Sequence, residues 1–155
     1  LIAFSRQDVV TARTVHTADN LSAKGAYELV GDPKARVTFL ATGSEVGLAL
    51  EARALLAAEG IAARIVSMPC WALFEEQTGE YRDRVLGPGT VKVGIEAASP
   101  LGWDRYIGSP HMAGSGAFVG MHSFGASGPY KDVYRHFAIT PEAAADAARQ
   151  ALKKA

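Results

Sequence analysis

Between Ala35 and Pro69 the apolar positions change period twice, and the change spells out a β-α-β unit. Arg36 to Ala41 places Val37, Phe39 and Leu40 in a short apolar block, the pattern of a strand buried on both faces of a parallel sheet. Thr42-Gly43-Ser44-Glu45 follows as a turn. Gly43 permits a tight exit, Ser44 is a good N-cap, and Glu45 puts negative charge on a first helical turn, where the macrodipole favours it. Leu48 to Glu59 is rich in Ala and Leu, strong helix formers, and Gly60 stands where a left-handed residue would end the helix. Ala62 to Met68 supplies the next strand. The crossover between two parallel strands is right-handed, and ligands of such sheets gather at the strands' carboxyl ends.

The same reading extends in both directions. Residues 26–30 alternate weakly before the Gly31-Asp32-Pro33 turn and are expected as an antiparallel edge strand. Trp71 to Gln77 and Glu80 to Leu86 are short helices parted by Gly79, Gly102 to Ile107 is another, and 91–96 and 117–122 are two more parallel strands. Pro129 introduces a helix over Tyr130 to Phe137. Thr140-Pro141-Glu142 opens the last helix with an N-cap, a proline at N1 and an acid, and Arg149, Lys153 and Lys154 complement its far end. The pattern therefore predicts a three-layer α/β/α fold around a mostly parallel five-stranded sheet with one antiparallel edge strand. Gly108 to Gly116 is a loop rich in Gly, Ser and Pro whose Gly-Ser-Pro-His-Met string resembles a cloning remnant, and it is assigned no function.

Composition narrows the function classes. A chain of 155 residues that is 48% apolar and 21% charged is ordinary for one soluble domain. Sixteen basic residues balance sixteen acidic ones, so the electrostatic footprint of a nucleic-acid binder is missing. Cys70 is the single cysteine, no stretch approaches a membrane span, and a cytoplasmic location is the default. Leu1-Ile2-Ala3-Phe4 reads as an apolar strand with no turn before it, and the chain is read as starting inside a larger protein.

The strands' carboxyl edge collects Thr42, Ser44, Cys70, Glu96, His122 and Ser123. A Cys70–His122 nucleophile and base is conceivable, but a lone cysteine in an apolar context is more often packing. Glu96 needs a partner at the end of an apolar strand, either across a domain or subunit contact or locally through Arg105. His16, His111, His122 and His136 show no metal-site spacing. Thr42-Gly43-Ser44-Glu45 is neither a Walker loop nor a dinucleotide fingerprint, and Glu45 would repel phosphate.

Five segments carry a resemblance: Ala41 to Val46 running through Ile65 to Pro69, Tyr81-Arg82 with Val85-Leu86, Val93 to Glu96, Gly102 to Tyr106, and Gly120 to Ser127. In this order they closely resemble the C-terminal domain of transketolases, and the loop at 108–116 departs from that pattern. The resemblance implies that residues 1–10 are the last strand of a preceding, pyrimidine-binding domain, that 11–24 form a linker, and that 25–155 are the C-terminal domain. Fourteen structureless residues would be long for a connection within one compact domain. It further implies that Ser5-Arg6-Gln7 puts Arg6 on the terminal phosphate of a sugar substrate, a task suited to a planar, permanently charged fork of donors. Asp8 stands where the family commonly has Asn.

The implied parent enzyme moves a two-carbon ketol unit between ketose and aldose phosphates in the pentose phosphate pathway, using thiamine diphosphate and Mg2+ or Ca2+. By the same resemblance the cofactor, metal and catalytic residues lie in other domains of a homodimer. This chain would serve packing and dimer contacts, hold no cofactor or metal, and be inactive alone. Two alternatives are kept: the matching domain of a 2-oxo acid dehydrogenase β subunit, and a free-standing regulatory module binding a metabolite at the strands' carboxyl edge.

Overall fold

The computed structural model describes residues 4–5, 7–108 and 116–155. Five strands, β1 (Tyr27–Val30), β2 (Val37–Ala41), β3 (Ala63–Ser67), β4 (Val91–Ile95) and β5 (Ala117–Val119), form one sheet in the order β1-β3-β2-β4-β5. β2 pairs in parallel with β3 and β4, β4 pairs in parallel with β5, and only β1 runs antiparallel, at the edge beside β3. The expected sheet is therefore present. Every residue of β2 is buried, which is what a strand between two parallel neighbours and two helical layers demands.

Helices cover both faces. α1 (Glu45–Ala58) and α6 (Pro141–Leu152) build one core through Ala49, Ala52, Leu56, Ala144, Ala145 and Ala148 against Phe39, Ile65 and Val93. α2 (Trp71–Glu75), α3 (Gly79–Leu86) and α4 (Asp104–Ile107) build the other, with Phe74, Val85, Trp103 and Tyr106 against Leu40 and Val66. α5 (Tyr130–His136) contributes no fully buried residue.

Local chemistry explains the boundaries. Gly60, at φ +73°, ends α1: its N–H reaches the Ala57 carbonyl at 3.0 Å while Ile61 reaches that of Leu56 at 3.0 Å, the paired bonds of a left-handed helix stop. Thr140 caps α6 through the Ala143 N–H at 3.2 Å, with Pro141 in the first turn.

Three expectations need correction. Ser44 does not cap α1 with its side chain, because its own backbone is already helical (φ −65°, ψ −26°) and its hydroxyl turns to Glu45. β5 stops at Val119 instead of residue 122, because its partner β4 has ended at Ile95 and Gly120 already lies against the Glu96 carbonyl, 2.5 Å from where a Cβ would stand. The 11–24 segment is not structureless, since Leu21–Lys24 forms a 3-10 turn and Ala12 packs on the α1–α6 core. At the far end of α6, Arg149 stands in the last turn as expected, where it also bonds Glu59 of α1 and Asp146.

Candidate functional site

The turn after β2 brings the first of the carboxyl-edge residues together. Glu45 N–H bonds the Thr42 carbonyl at 3.1 Å, and Gly43, at φ +55°, makes the tight exit. Glu45 thereby lands under the end of the sheet, only 4% exposed. A buried carboxylate must be hydrogen-bonded, and here two hydroxyls do so. Ser44 Oγ donates to Glu45 Oε1 at 2.8 Å, and the Tyr134 hydroxyl from α5 donates to the same oxygen. Ser44 Oγ and the Tyr134 hydroxyl are themselves 3.3 Å apart. The Gln7 amide reaches the Tyr134 hydroxyl from the N-terminal arm at 3.4 Å. Burial, and then the bond to the Glu45 carboxylate, push the Tyr134 phenol up to about 12. The N-terminus of α1 thus holds a built-in anion, which argues against a phosphate there.

This network joins residues 89 and 127 positions apart, and the sequence reading missed it. The available signal was Glu45 itself, an acid directly after a strand-ending glycine turn, which required a donor that the tyrosine supplies. Ser5 and Phe4 line the neighbouring cleft with Thr42, Gly43, Ser44, Cys70 and Leu73. Arg6 lies outside the described residues.

Other expected residues are placed apart. Cys70 precedes α2 at the end of β3, whereas His122 follows β5, is exposed, and meets only the Phe118 ring edge-on at 6.3 Å. Three strand spacings separate β3 from β5, on the order of 14 Å, so a nucleophile–base pair between them is not assembled. Ser123 is exposed, its hydroxyl 3.4 Å from the next carbonyl. Glu96 pairs locally, but not with Arg105: its Oε2 accepts from Trp103 Nε1 at 2.7 Å. Trp103 is fully buried and stands edge-on to Trp71. Arg105 instead lies over Trp71 and Tyr106 at 6.0 Å, a cation–π position. The second carboxylate–tyrosine pair is Glu75–Tyr106 at 2.8 Å, and burial followed by Glu75 raises that phenol to about 12 as well.

Among the described residues no group of three or more His, Cys, Asp or Glu side chains could hold a metal ion. At the α1 N-terminus the Glu45 carboxylate already takes the hydrogen bonds of Ser44 and Tyr134. Among the described residues no helix is long and apolar enough to cross a membrane.

The fold is an α/β/α domain whose β2–α1 turn and N-terminal arm meet through Tyr134. Residues 25–140 match the family described as the transketolase-like C-terminal domain. The chain belongs to that family. It is 50% identical over 147 residues to a transketolase of Rhodobacter capsulatus, covering 94% of this chain and 22% of that protein. It superposes on a transketolase from Leishmania mexicana with a TM-score of 0.77 at 38% identity, covering 86% of this chain and 19% of that one. A Pichia stipitis transketolase in complex with sedoheptulose-7-phosphate gives 0.76 at 36% identity over 85% of this chain and 18% of that one. The chain therefore spans about a fifth of the length of the relatives it matches. These matches do not favour the 2-oxo acid dehydrogenase or regulatory-module alternatives.

Proposed function

We propose that this chain is the C-terminal part of a thiamine diphosphate-dependent transketolase that moves a two-carbon ketol unit between ketose and aldose phosphates. The observation that carries the reading is the 50% identity to the Rhodobacter capsulatus transketolase across 94% of the chain. Residues 25–155 are the C-terminal domain, 11–24 link it to the preceding one, and 1–10 end that pyrimidine-binding domain. The domain serves packing within the subunit and contacts in a cytoplasmic homodimer. Thiamine diphosphate and Mg2+ or Ca2+ are held by the other domains. The Pichia stipitis complex with a sugar phosphate supports phosphorylated substrates.

Within this reading Arg6 holds the substrate's terminal phosphate. A charged hydrogen-bonding contact is worth roughly 1.5–3 kcal/mol, and about 1.4 kcal/mol is tenfold. Arg6→Ala in the full-length enzyme is therefore expected to lower kcat/KM for phosphorylated sugars by about ten- to a hundredfold. The loss falls mainly on KM, because a phosphate remote from the breaking bond is held alike in ground and transition states. Unphosphorylated acceptors keep their rates. Steady-state kinetics with both substrate kinds test this, and equal losses for the two would remove the phosphate role.

A further inference from the structure

At the amino ends of the strands, opposite the carboxyl edge, a cavity of about 680 Å³ opens between the turn after β1 and the turn after α3. Glu28, Asp32, Arg64, Arg84 and Thr90 line it. Arg64 reaches it from β3, an inner strand, and is only 9% exposed. A buried guanidinium has five N–H groups to satisfy. Nη1 and Nη2 share one acceptor, the Arg84 carbonyl, at 3.2 Å each, and Nη2 also pairs with Glu28. Among the described residues the buried Nε has no partner, so the group is short of acceptors.

Lys92 of β4 is a second cation in the same cross-strand row, for Thr38 is in register with Arg64 on one side and with Lys92 on the other. Its ammonium donates to the Gly87 and Thr90 carbonyls at 2.9 and 2.6 Å. Burial, and then the charge of Arg64, hold it below its ordinary range. Arg84 is the third cation, exposed and lying over the Tyr81 ring at 5.2 Å. Among the described residues neither Lys92 nor Arg84 pairs with a carboxylate.

Two carboxylates face these three cations. Asp32 takes the Lys34 N–H at 2.8 Å. Glu28 stands on the edge strand, where the register with β3 shifts between Glu28 and Val30, and its side chain is 45% exposed. A carboxylate so placed can exchange Arg64 for solvent at little cost. Were Arg64 only a tie to the end of α3, a neutral amide would give the same carbonyl a donor with less desolvation.

We propose that this cavity binds a phosphate group, free or carried by a small sugar, which takes the place of the Glu28 carboxylate on Arg64 and meets Arg84 on its outer side. The planar fork of Arg64 offers a phosphate two parallel donors, and Lys92 adds charge from behind. The volume lies within the range of small-molecule sites, about 300–1,000 Å³. The proposal is independent of the role of Arg6.

NMR titration of the 155-residue chain with inorganic phosphate, ribose-5-phosphate and ribose, at fixed ionic strength, tests it. Amide signals of residues 28–35 and 84–90 are expected to shift and saturate with at least one of the two phosphates and not with ribose. Which of the two binds more tightly tells free phosphate from a phosphate ester. Arg84→Gln, at an exposed position outside both cores, is expected to raise Kd by about tenfold, the lower end for a charged hydrogen bond. Glu28→Gln removes the competing carboxylate and is expected to lower Kd by about three- to tenfold, which the loss of a merely structural ion pair would not do. Shifts that never saturate, saturation by ribose as well, a Kd unchanged in Arg84→Gln, or a Kd unchanged or raised in Glu28→Gln would each overturn the site.

Discussion

Tyr106 and Tyr134 each give their proton to a carboxylate while partly buried, and both phenols are raised from their ordinary range to about 12. A proton held more tightly in the folded state is linked to stability. The unfolded chain loses its phenolic protons near pH 10, so between about 10 and 12 it binds fewer protons than the folded chain. The stability contributed by these two groups is complete below about pH 10 and is lost as pH rises through about 12. Guanidinium unfolding at a series of pH values should show a decline across that window, and Tyr134→Phe should make it shallower. A decline of the same steepness in the variant would mean that Tyr134 is not linked to folding. The sequence could not show this pair, because nothing local marks Tyr134 as the partner of a residue 89 positions away. Glu96 illustrates the same limit in milder form: its need for a donor was legible, but the choice of Trp103 over Arg105 depended on how the segment after β4 folds back.

At the level of elements the reading was far more successful, for a physical reason. Period and composition identify a strand or helix whenever burial is two-sided or one-sided along its whole length, as in β2 and α1. Ends that depend on a neighbour, such as the stop of β5 at Val119, are not encoded in that period. The α1–α6 contact shows what the small residues do. Ala49 and Ala52 on one helix and Ala144, Ala145 and Ala148 on the other are all fully buried, so the two backbones approach closely. A larger side chain has no space to enter. Ala148→Leu is therefore expected to destabilise the domain by roughly 1–3 kcal/mol, lowering Tm by about 2–12 °C for a chain of this size. Gln150→Leu, on the exposed face of α6, should change stability by less than about 0.5 kcal/mol. Thermal unfolding of both variants checks the contrast, and an unchanged Tm in Ala148→Leu would show that the helix pair can separate without cost.

The whole molecule is a sheet with a separate core on each face, so it has what an independent folding unit requires. At its carboxyl edge the polar groups are spent on one another: Glu45 on Tyr134 and Ser44, Glu96 on Trp103. Cys70 and His122 stand at ends of strands that are three positions apart in the sheet. Ketol transfer needs a group to carry the two-carbon unit and residues to move protons around it, and the chain spans only 22% of the Rhodobacter capsulatus transketolase it resembles. The isolated 155-residue chain is therefore expected to fold yet to show no ketol transfer when supplied with thiamine diphosphate, magnesium, a ketose phosphate and an aldose phosphate. Circular dichroism and a cooperative thermal transition establish the first half, and a coupled assay of product formation the second. A folded chain without turnover agrees with the proposed supporting role. Turnover that persists after contaminating full-length enzyme has been removed would mean that these residues carry the chemistry themselves, and the assignment of the chain to a supporting role would have to be withdrawn.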